Sequence, residues 1–365
     1  MPKLREITDC IENFAPLSLQ ESYDNAGLIV GDKNMDIIGA LICLDSTEEV
    51  IDEAINLGYN LIIAHHPIVF SGLKKFHGNN YVERVIIKAI KNNIAIYAAH
   101  TNLDNVKMGV NAKISEKLGL KDVKILAPMK GNLRKLVTFC PTEHADKVRQ
   151  ALFKAGAGNI GNYDECSFNA KGFGTFRAGD NTNAFVGNKG EQHQEKEVKI
   201  EVIVPNYSLP GVIKALIEAH PYEEVVYDVF PLENNNPQTG AGMIGKLSVP
   251  MNELDFLKYM KEKMKTGLIR HTKLLGKNIE IVAVCGGSGS FLLKDAINQK
   301  ADIFITGDFK YHQFFDSDGK IIIADIGHFE SEQFTKEIFY DLITTNFPTF
   351  ALRFSEINTN PVNYI

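Results

Sequence analysis

Four residues of this chain stand at spacings that suit metal chemistry. His65 and His66 are adjacent and are followed by Pro67, which changes the chain direction, so both imidazoles can reach one cavity. His328 and Glu332 lie four residues apart at the start of a predicted helix. That spacing places an imidazole and a carboxylate on one helix face, within reach of one ion.

A further carboxylate, Asp104, follows a predicted strand within the segment HTNLD. A single catalytic zinc takes three protein ligands, so three imidazoles and two carboxylates fit two ions better than one, and we interpret Asp104 as the shared carboxylate. Two ions turn a bridging water into hydroxide, which attacks a phosphoryl or carbonyl centre. Zinc is our first expectation for two divalent ions per chain, and iron, manganese and cobalt are alternatives.

Other polar residues also follow predicted strands, at the edge where open α/β sheets bind ligands. His100 and His312 are candidate catalytic residues for proton transfer, although His312 fits a helix surface equally well. Asp45 is interpreted as a helix cap. The segment CGGSGS is similar to a phosphate cradle but lacks the lysine of a P-loop, and tight packing explains it too. The remaining strand-end residues are Asp308 and Asp325.

The elements that must position these residues form two similar runs of alternating apolar strand and amphipathic helix. Such alternation predicts a mostly parallel sheet covered on both faces. Because the strands of the two runs match in order, we predict an internal repeat of three strands; chance likeness among apolar strands is the alternative. The first run contains ALICLDST, NLIIAHHP and IAIYAAHTNLD, and the second contains EIVAVCGGSG, ADIFITGD and IIIADIGHFESE.

A different pattern separates the two runs. Residues 129–241 predict strand, helix, two strands, helix and strand, the order of a ferredoxin-like α+β domain, and the Asn-rich segment ENNNPQTGAG is interpreted as the linker that ends it. The predicted fold class is therefore α/β, with a core of residues 1–128 and 242–365 formed by two similar halves. The ferredoxin-like domain is inserted between these halves.

Composition limits the class of protein. With 44% hydrophobic and 23% charged residues, the 365-residue chain has the balance of a globular protein rather than a disordered one. The net charge of −6 makes nucleic acid an unexpected partner. No apolar run approaches a membrane span and the first residues lack signal-peptide features, so we expect a cytoplasmic protein. Five scattered cysteines without a CxxC pair argue against thiolate ligands.

An ordered set of segments resembles a known family. SYDNAGLIVG, CLDST, LIIAHHPIVF, HTNLD, ADIFITGD, KYH, GHFESE and TNPV resemble the dinuclear-metal family called GTP cyclohydrolase I type 2 or Ngg-interacting-factor-like. The resemblance implies that the five residues selected above are the metal ligands, and that residues 129–241 form a PII/CutA-like domain. It also implies a homohexamer, because the family core resembles a ring of dimers and PII/CutA-like modules trimerise.

Two functions of different classes agree with these observations. The first is a metal-dependent hydrolase, homologous to type 2 GTP cyclohydrolase I, whose bridging hydroxide attacks a nucleotide or phosphoester. The second is a non-enzymatic protein that stores or delivers metal, or regulates another process, with an insert that senses a ligand. The expected partner is therefore a small molecule or a metal ion, and the family resemblance does not choose between the two functions.

Overall fold

The computed structural model describes residues 1–365, which form two compact units. The first unit comprises Met1–Ala127 and Thr239–Ile365, and the second is Pro128–Gln238. None of the helices has the length and apolar composition needed to cross a membrane.

The elements are numbered in chain order. The first segment contains α1 (Leu4–Phe14), β1 (Gly27–Val30), β2 (Gly39–Cys43), α2 (Glu48–Leu57), β3 (Leu61–Ala64), α3 (Tyr81–Lys91), β4 (Ala95–Ala98), α4 (Thr101–Asp104), α5 (Val110–Lys117) and β5 (Lys121–Met129). The second unit contains β6 (Leu133–Pro141), α6 (Ala145–Lys154), β7 (Phe168–Arg177), β8 (Gln192–Pro205), α7 (Leu209–Ala219) and β9 (Tyr227–Leu232). The last segment contains β10 (Asn236–Met251), α8 (Glu253–Lys263), β11 (Arg270–His271), β12 (Ile279–Ser288), α9 (Leu293–Asn298), β13 (Ile303–Gly307), β14 (Ile322–Asp325), α10 (His328–Glu332), α11 (Thr335–Asn346) and β15 (Ala351–Phe354).

The first sheet has the strand order β1-β4-β3-β2-β15. Strands β2, β3, β4 and β15 are parallel, and β1 runs antiparallel at the edge next to β4. The three central strands are buried along their whole length, because apolar side chains such as Leu41 and Ile62 pack against Val85 of α3 and Ile51 of α2. Continuous burial explains why the sequences of these strands are unbroken apolar runs.

The second sheet repeats this arrangement. Its order is β11-β14-β13-β12-β10-β5, with β12, β13 and β14 parallel and β11 antiparallel at the edge next to β14. Each half therefore contains three parallel strands and one antiparallel strand at the edge of the sheet. In the chain, the antiparallel strand comes before the three parallel strands. This topology confirms the predicted repeat of three strands and the α/β class of the core.

The two halves also exchange strands. Strand β5 belongs to the first segment but lies in the second sheet, whereas β15 at the end of the chain extends the first sheet. The prediction that ENNNPQTGAG is a linker is wrong for most of its length, because β10 begins at Asn236. Within this segment Thr239 forms an antiparallel bridge with Val106, and the N–H of Gly240 donates to Asn105 O. This tertiary pairing overrides the turn preference of the Asn and Gly residues.

The second unit has a four-stranded antiparallel sheet of order β7-β8-β6-β9. Helices α6 and α7 cover one face, where Val148 and Leu216 pack against Leu136 and Ile200. The order of elements and strands confirms the ferredoxin-like class of this unit. Its closer likeness to the PII and CutA proteins stays a prediction.

We predict that the first unit folds without the second. Strands β5 and β10 are hydrogen-bonded neighbours in one sheet, so a short Gly/Ser bridge in place of Pro128–Gln238 can join their ends without stretching the chain. The shortened protein should unfold cooperatively on heating, as followed by circular dichroism, and should bind as much metal as the full chain. A shortened protein that is unfolded or free of metal would show that the unit depends on the insert.

Candidate metal centre

The structure brings the five predicted ligand residues together in the first unit. His66 Nε2 and His328 Nε2 lie 3.3 Å apart, and they lie 2.9 and 3.1 Å from Glu332 Oε2. Two nitrogens bound to one tetrahedral zinc at about 2.0–2.1 Å are separated by roughly 3.3 Å. His66, His328 and Glu332, which we call the first ligand set, therefore have the spacing of three ligands around one ion.

The second ligand set consists of His65, Asp104 and Glu332. His65 Nε2 lies 3.7 Å from Asp104 Oδ1 and 3.7 Å from Glu332 Oε1. His65 Nε2 and Asp104 Oδ1 are buried and have no hydrogen-bond partner, an arrangement that costs free energy unless a cation lies between them. The unpaired nitrogen of His65 and the unpaired oxygen of Asp104 are thus suited to bind a metal ion.

Glu332, rather than Asp104, occupies the shared position. Its Oε2 faces His66 and His328, and its Oε1 faces His65. This geometry favours Glu332 over Asp104 as the shared carboxylate. The sequence contained no signal for the choice, because both carboxylates follow a strand end by a similar distance.

Each of the three histidines has its ring orientation fixed from outside the cluster. The acceptors of the Nδ1–H groups are Ala99 O for His65 at 2.8 Å, Asp45 Oδ1 for His66 at 2.7 Å and Asp308 Oδ2 for His328 at 2.7 Å. A histidine that donates from Nδ1 presents the lone pair of Nε2 when it is neutral, which is the atom that faces the cluster. Ring orientation and tautomer therefore both suit metal ligation.

Asp45 supports His66 and is not a helix cap. Thr47 caps α2 instead, and the carboxylate of Asp45 is held on its other oxygen by the hydroxyl of Thr359 at 2.7 Å. Asp308, which accepts the hydrogen bond from His328, has a left-handed backbone with φ of 58°. This conformation costs free energy for a residue that has a side chain. Sequence reasoning missed Thr359, because its contact depends on the last segment of the chain returning to the cluster.

The glycine segment lets the backbone approach the cluster. Gly287 has φ of 60°, and a Cβ atom on this residue would lie 2.4 Å from Glu332 Oε1. The backbone N–H groups of Gly286, Gly287 and Gly289 donate to Asn111 Oδ1, Ser331 Oγ and Thr306 Oγ1. Because these donors are already bonded to side chains, the interpretation of CGGSGS as a phosphate cradle is wrong, and its tight packing is the better account.

The charges of the cluster depend on one another. Burial and the nearby charge of Glu332 raise the pKa of Asp104, whereas His328 holds the pKa of Glu332 well below its usual range despite burial. Burial disfavours charge on the histidines, but their carboxylate partners raise the pKa of His66 to about 9 and that of His328 to about 11. The buried carboxylate of Glu332 is thus balanced by positive charge on the two imidazoles, and a divalent cation in the cluster would supply that positive charge instead.

His100 lies beside the ligand sets. Its ring centroid is 5.3 Å from that of His65 and 5.4 Å from that of His66. Its Nδ1–H donates to Asp24 Oδ1 at 2.8 Å. Asp24 is partly buried, but hydrogen bonds from His100 and Thr101 lower its pKa to about 2, so it is an anion that fixes the imidazole. The sequence did not indicate Asp24 as part of the site, because Asp24 lies in a loop rather than at the end of a strand.

His312 is placed differently from His100. It is exposed in a 3-10 helix, Tyr311–Ser317, where its ring contacts Tyr311 and Phe315. It is not among the residues that line the cavity above the cluster. The structure therefore brings His100 to the site and leaves His312 on the surface.

Four of the five cluster residues line an open cavity of about 1010 Å³ in the first unit, and they are His66, Asp104, His328 and Glu332. Its wall includes Phe70 and Tyr81 from the first half and Arg270 from the second. A volume of this size is at the upper end of the range of small-molecule sites. A site open to small molecules thus adjoins the side chains that could hold metal.

Comparisons with known proteins agree with this fold. Residues 2–361 match the family model Duf34/NIF3 (NGG1p interacting factor 3), and the chain belongs to this family. It is 41% identical to a protein of Halalkalibacterium halodurans and 36% identical to one of Bacillus subtilis, each named "GTP cyclohydrolase 1 type 2 homolog". These matches cover 98% and 99% of this chain, and 98% of each relative.

A solved structure is also similar over its full length. The Bacillus cereus protein related to NIF3 superimposes with a TM-score of 0.87 at 39% identity, covering 100% of this chain and 99% of that one. The likeness therefore includes the insert as well as the two halves of the core.

We predict that Glu332→Gln and Asp104→Asn have unequal effects on metal content. Glu332 serves both ligand sets, so its replacement should release metal from both, whereas Asp104→Asn should leave the first ligand set able to bind. Elemental analysis after metal loading and dialysis measures the difference. Glu330→Gln, two residues from Glu332 in α10, is the matched control and should keep the wild-type metal content. Equal losses in the Glu332 and Asp104 variants would contradict the shared position of Glu332.

Proposed function

We propose that this protein is a hydrolase that uses two divalent ions, with zinc as the first candidate. One observation carries the proposal: two three-residue ligand sets share Glu332, which lines a cavity large enough for a small molecule. Three protein ligands per ion leave a position for water or substrate, which is the arrangement of catalytic rather than structural metal sites. The name of the bacterial relatives, GTP cyclohydrolase 1 type 2 homolog, supports the same class of reaction.

The five cluster residues would hold the ions, and their supporting contacts would keep the ligands in place. Divalent ions held there would supply Lewis acidity and would lower the pKa of bound water. Asp45 and Asp308 keep the Nδ1–H tautomer of His66 and His328, so neither ring has to turn when a ligand bond forms. Burial of Glu332 keeps competing water from its carboxylate.

His100 is positioned to move a proton during hydrolysis. Because Asp24 accepts the Nδ1–H, the Nε2 atom of His100 is free to accept a proton from the attacking water. The same atom can return that proton to the leaving group, and the anionic Asp24 stabilises the imidazolium in between. Phe70, whose ring centroid is 5.5 Å from that of His100, limits the positions that the imidazole can adopt.

We predict that His100→Asn lowers kcat by about 10²- to 10⁴-fold while metal content is unchanged, because it removes proton transfer and leaves both ligand sets that contain Glu332 intact. Turnover is measured spectrophotometrically on a panel of p-nitrophenyl esters, phosphoesters and nucleotides, with each candidate metal. His312→Asn is the matched control and should retain wild-type kcat, since that side chain is exposed outside the cavity.

The same assay separates the hydrolase from the metal carrier. His65→Ala should lose both metal and turnover, because it removes a ligand of the second set. Turnover that persists in the metal-free variant would contradict the hydrolase proposal. Tight metal binding by the wild-type protein without turnover of any member of the panel would favour storage or delivery of the ion.

We also propose that the chain assembles as a homohexamer. The insert exposes aromatic side chains, including Phe168, Phe173 and Phe230, and exposed apolar patches are typical of subunit contacts. Light scattering should give six times the mass of one chain, and Phe230→Ser should shift the mass toward smaller species by weakening an apolar contact. A wild-type protein that is monomeric at micromolar concentration would contradict the proposal.

A further inference from the structure

The cavity above the ligand sets contains few groups that can bind anions. Arg270 is the single Lys or Arg residue in its wall. The guanidinium of Arg270 is already ion-paired with the buried carboxylate of Asp325, and it donates to Phe309 O at 3.1 Å. Besides Asp104 and Glu332, five carboxylates line the cavity. They are Glu21, Asp45, Asp308, Asp325 and Glu330.

Backbone donors do not compensate for this lack of cations. The glycine segment at the end of β12 is the natural place for an anion cradle, but the N–H groups of Gly286, Gly287 and Gly289 donate to side chains of the protein. Sites for several phosphates use arginine and lysine side chains or clusters of free N–H groups. Arg270 and these N–H groups are therefore already bonded within the protein, and they leave a chain of phosphates without cationic or backbone partners from these elements.

One wall of the cavity is apolar and close to the cluster. Ile68, Val69 and Leu73 line it together with the rings of Phe70 and Tyr81, which are 51% and 61% exposed. Phe70 lies edge-on to His100, so the apolar wall begins directly beside the ligand sets. A planar or apolar group covering these rings would remove apolar surface from water, which favours binding.

From these two features we propose that the cavity binds a small molecule with an aromatic or apolar body and a single anionic group, and discriminates against nucleoside polyphosphates. The anionic group lies at the metal centre, and the body covers Phe70 and Tyr81. Further phosphates would face Asp308, Glu330 and their neighbours, where like charges repel. This inference rests on the proposed function, because it assigns the substrate class of the same site.

Binding of phosphonates to the metal-loaded full chain, measured by isothermal titration calorimetry, tests the proposal without turnover. Phenylphosphonate should bind at least about tenfold more tightly than methylphosphonate, since only the former covers the apolar wall. Guanosine 5′-(β,γ-imido)triphosphate should bind no more tightly than methylphosphonate. Metal content is determined before and after each titration, so that removal of metal by the triphosphate is not mistaken for binding.

A matched pair of variants locates the preference. Phe70→Ala should reduce the advantage of phenylphosphonate to about threefold or less. Phe76→Ala, in the same loop and 52% exposed but outside the cavity wall, should leave it unchanged. Circular dichroism and metal content confirm that both variants are folded.

Two results would overturn the inference. One is tighter binding of the triphosphate analogue than of phenylphosphonate, and the other is a phenyl preference that Phe70→Ala does not change. Failure of the hydrolase proposal is a separate result, because it appears as absent turnover while the order of phosphonate affinities is retained.

Discussion

A buried carboxylate that faces histidines on two sides is the constraint on which the rest of this structure depends. Glu332 is 2% exposed, and its two oxygens face different imidazoles. Placing a carboxylate out of water requires positive charge and hydrogen-bond donors around it. Helix α10 must therefore begin where β14 ends, and Gly287 must leave room where a side chain would collide with the carboxylate.

The internal repeat explains how one cluster obtains ligands from both halves. After the third parallel strand of each half comes a histidine and, four residues later, a carboxylate: His100 and Asp104 after β4, His328 and Glu332 after β14. In both halves the histidine donates its Nδ1–H to an aspartate, Asp24 or Asp308. The copies have diverged in position, since His328 lies within 3.3 Å of His66 Nε2 while His100 stands beside the ligand sets.

Strand exchange holds this arrangement together. Since β5 extends the second sheet and β15 extends the first, separating the halves would break the hydrogen bonds of a whole strand in each sheet. The contact of Thr359 with Asp45 follows directly after β15, so the same exchange brings a support for His66 from the end of the chain. Rigid positioning of the histidines is thus a consequence of topology as well as of local hydrogen bonds.

The sequence by itself determined the features that depend on nearby residues. Apolar runs predicted the buried strands, the spacing of His328 and Glu332 predicted one helix face, and a strand end followed by Pro67 predicted two histidines directed at one cavity. The order of elements in the insert was also enough to predict the ferredoxin-like class. Each of these follows from short-range geometry, in which residue spacing sets direction.

Tertiary structure alone decided which groups meet across the chain. It placed Glu332 rather than Asp104 in the shared position, and brought Asp24 to His100 and Thr359 to Asp45 over separations of 76 and 314 residues. It also gave the N–H of Gly287 a side-chain partner in Ser331. It formed the start of β10 from residues whose composition had predicted a linker. Pairings of this kind depend on how two sheets come together, and no local pattern in the chain encodes that distance.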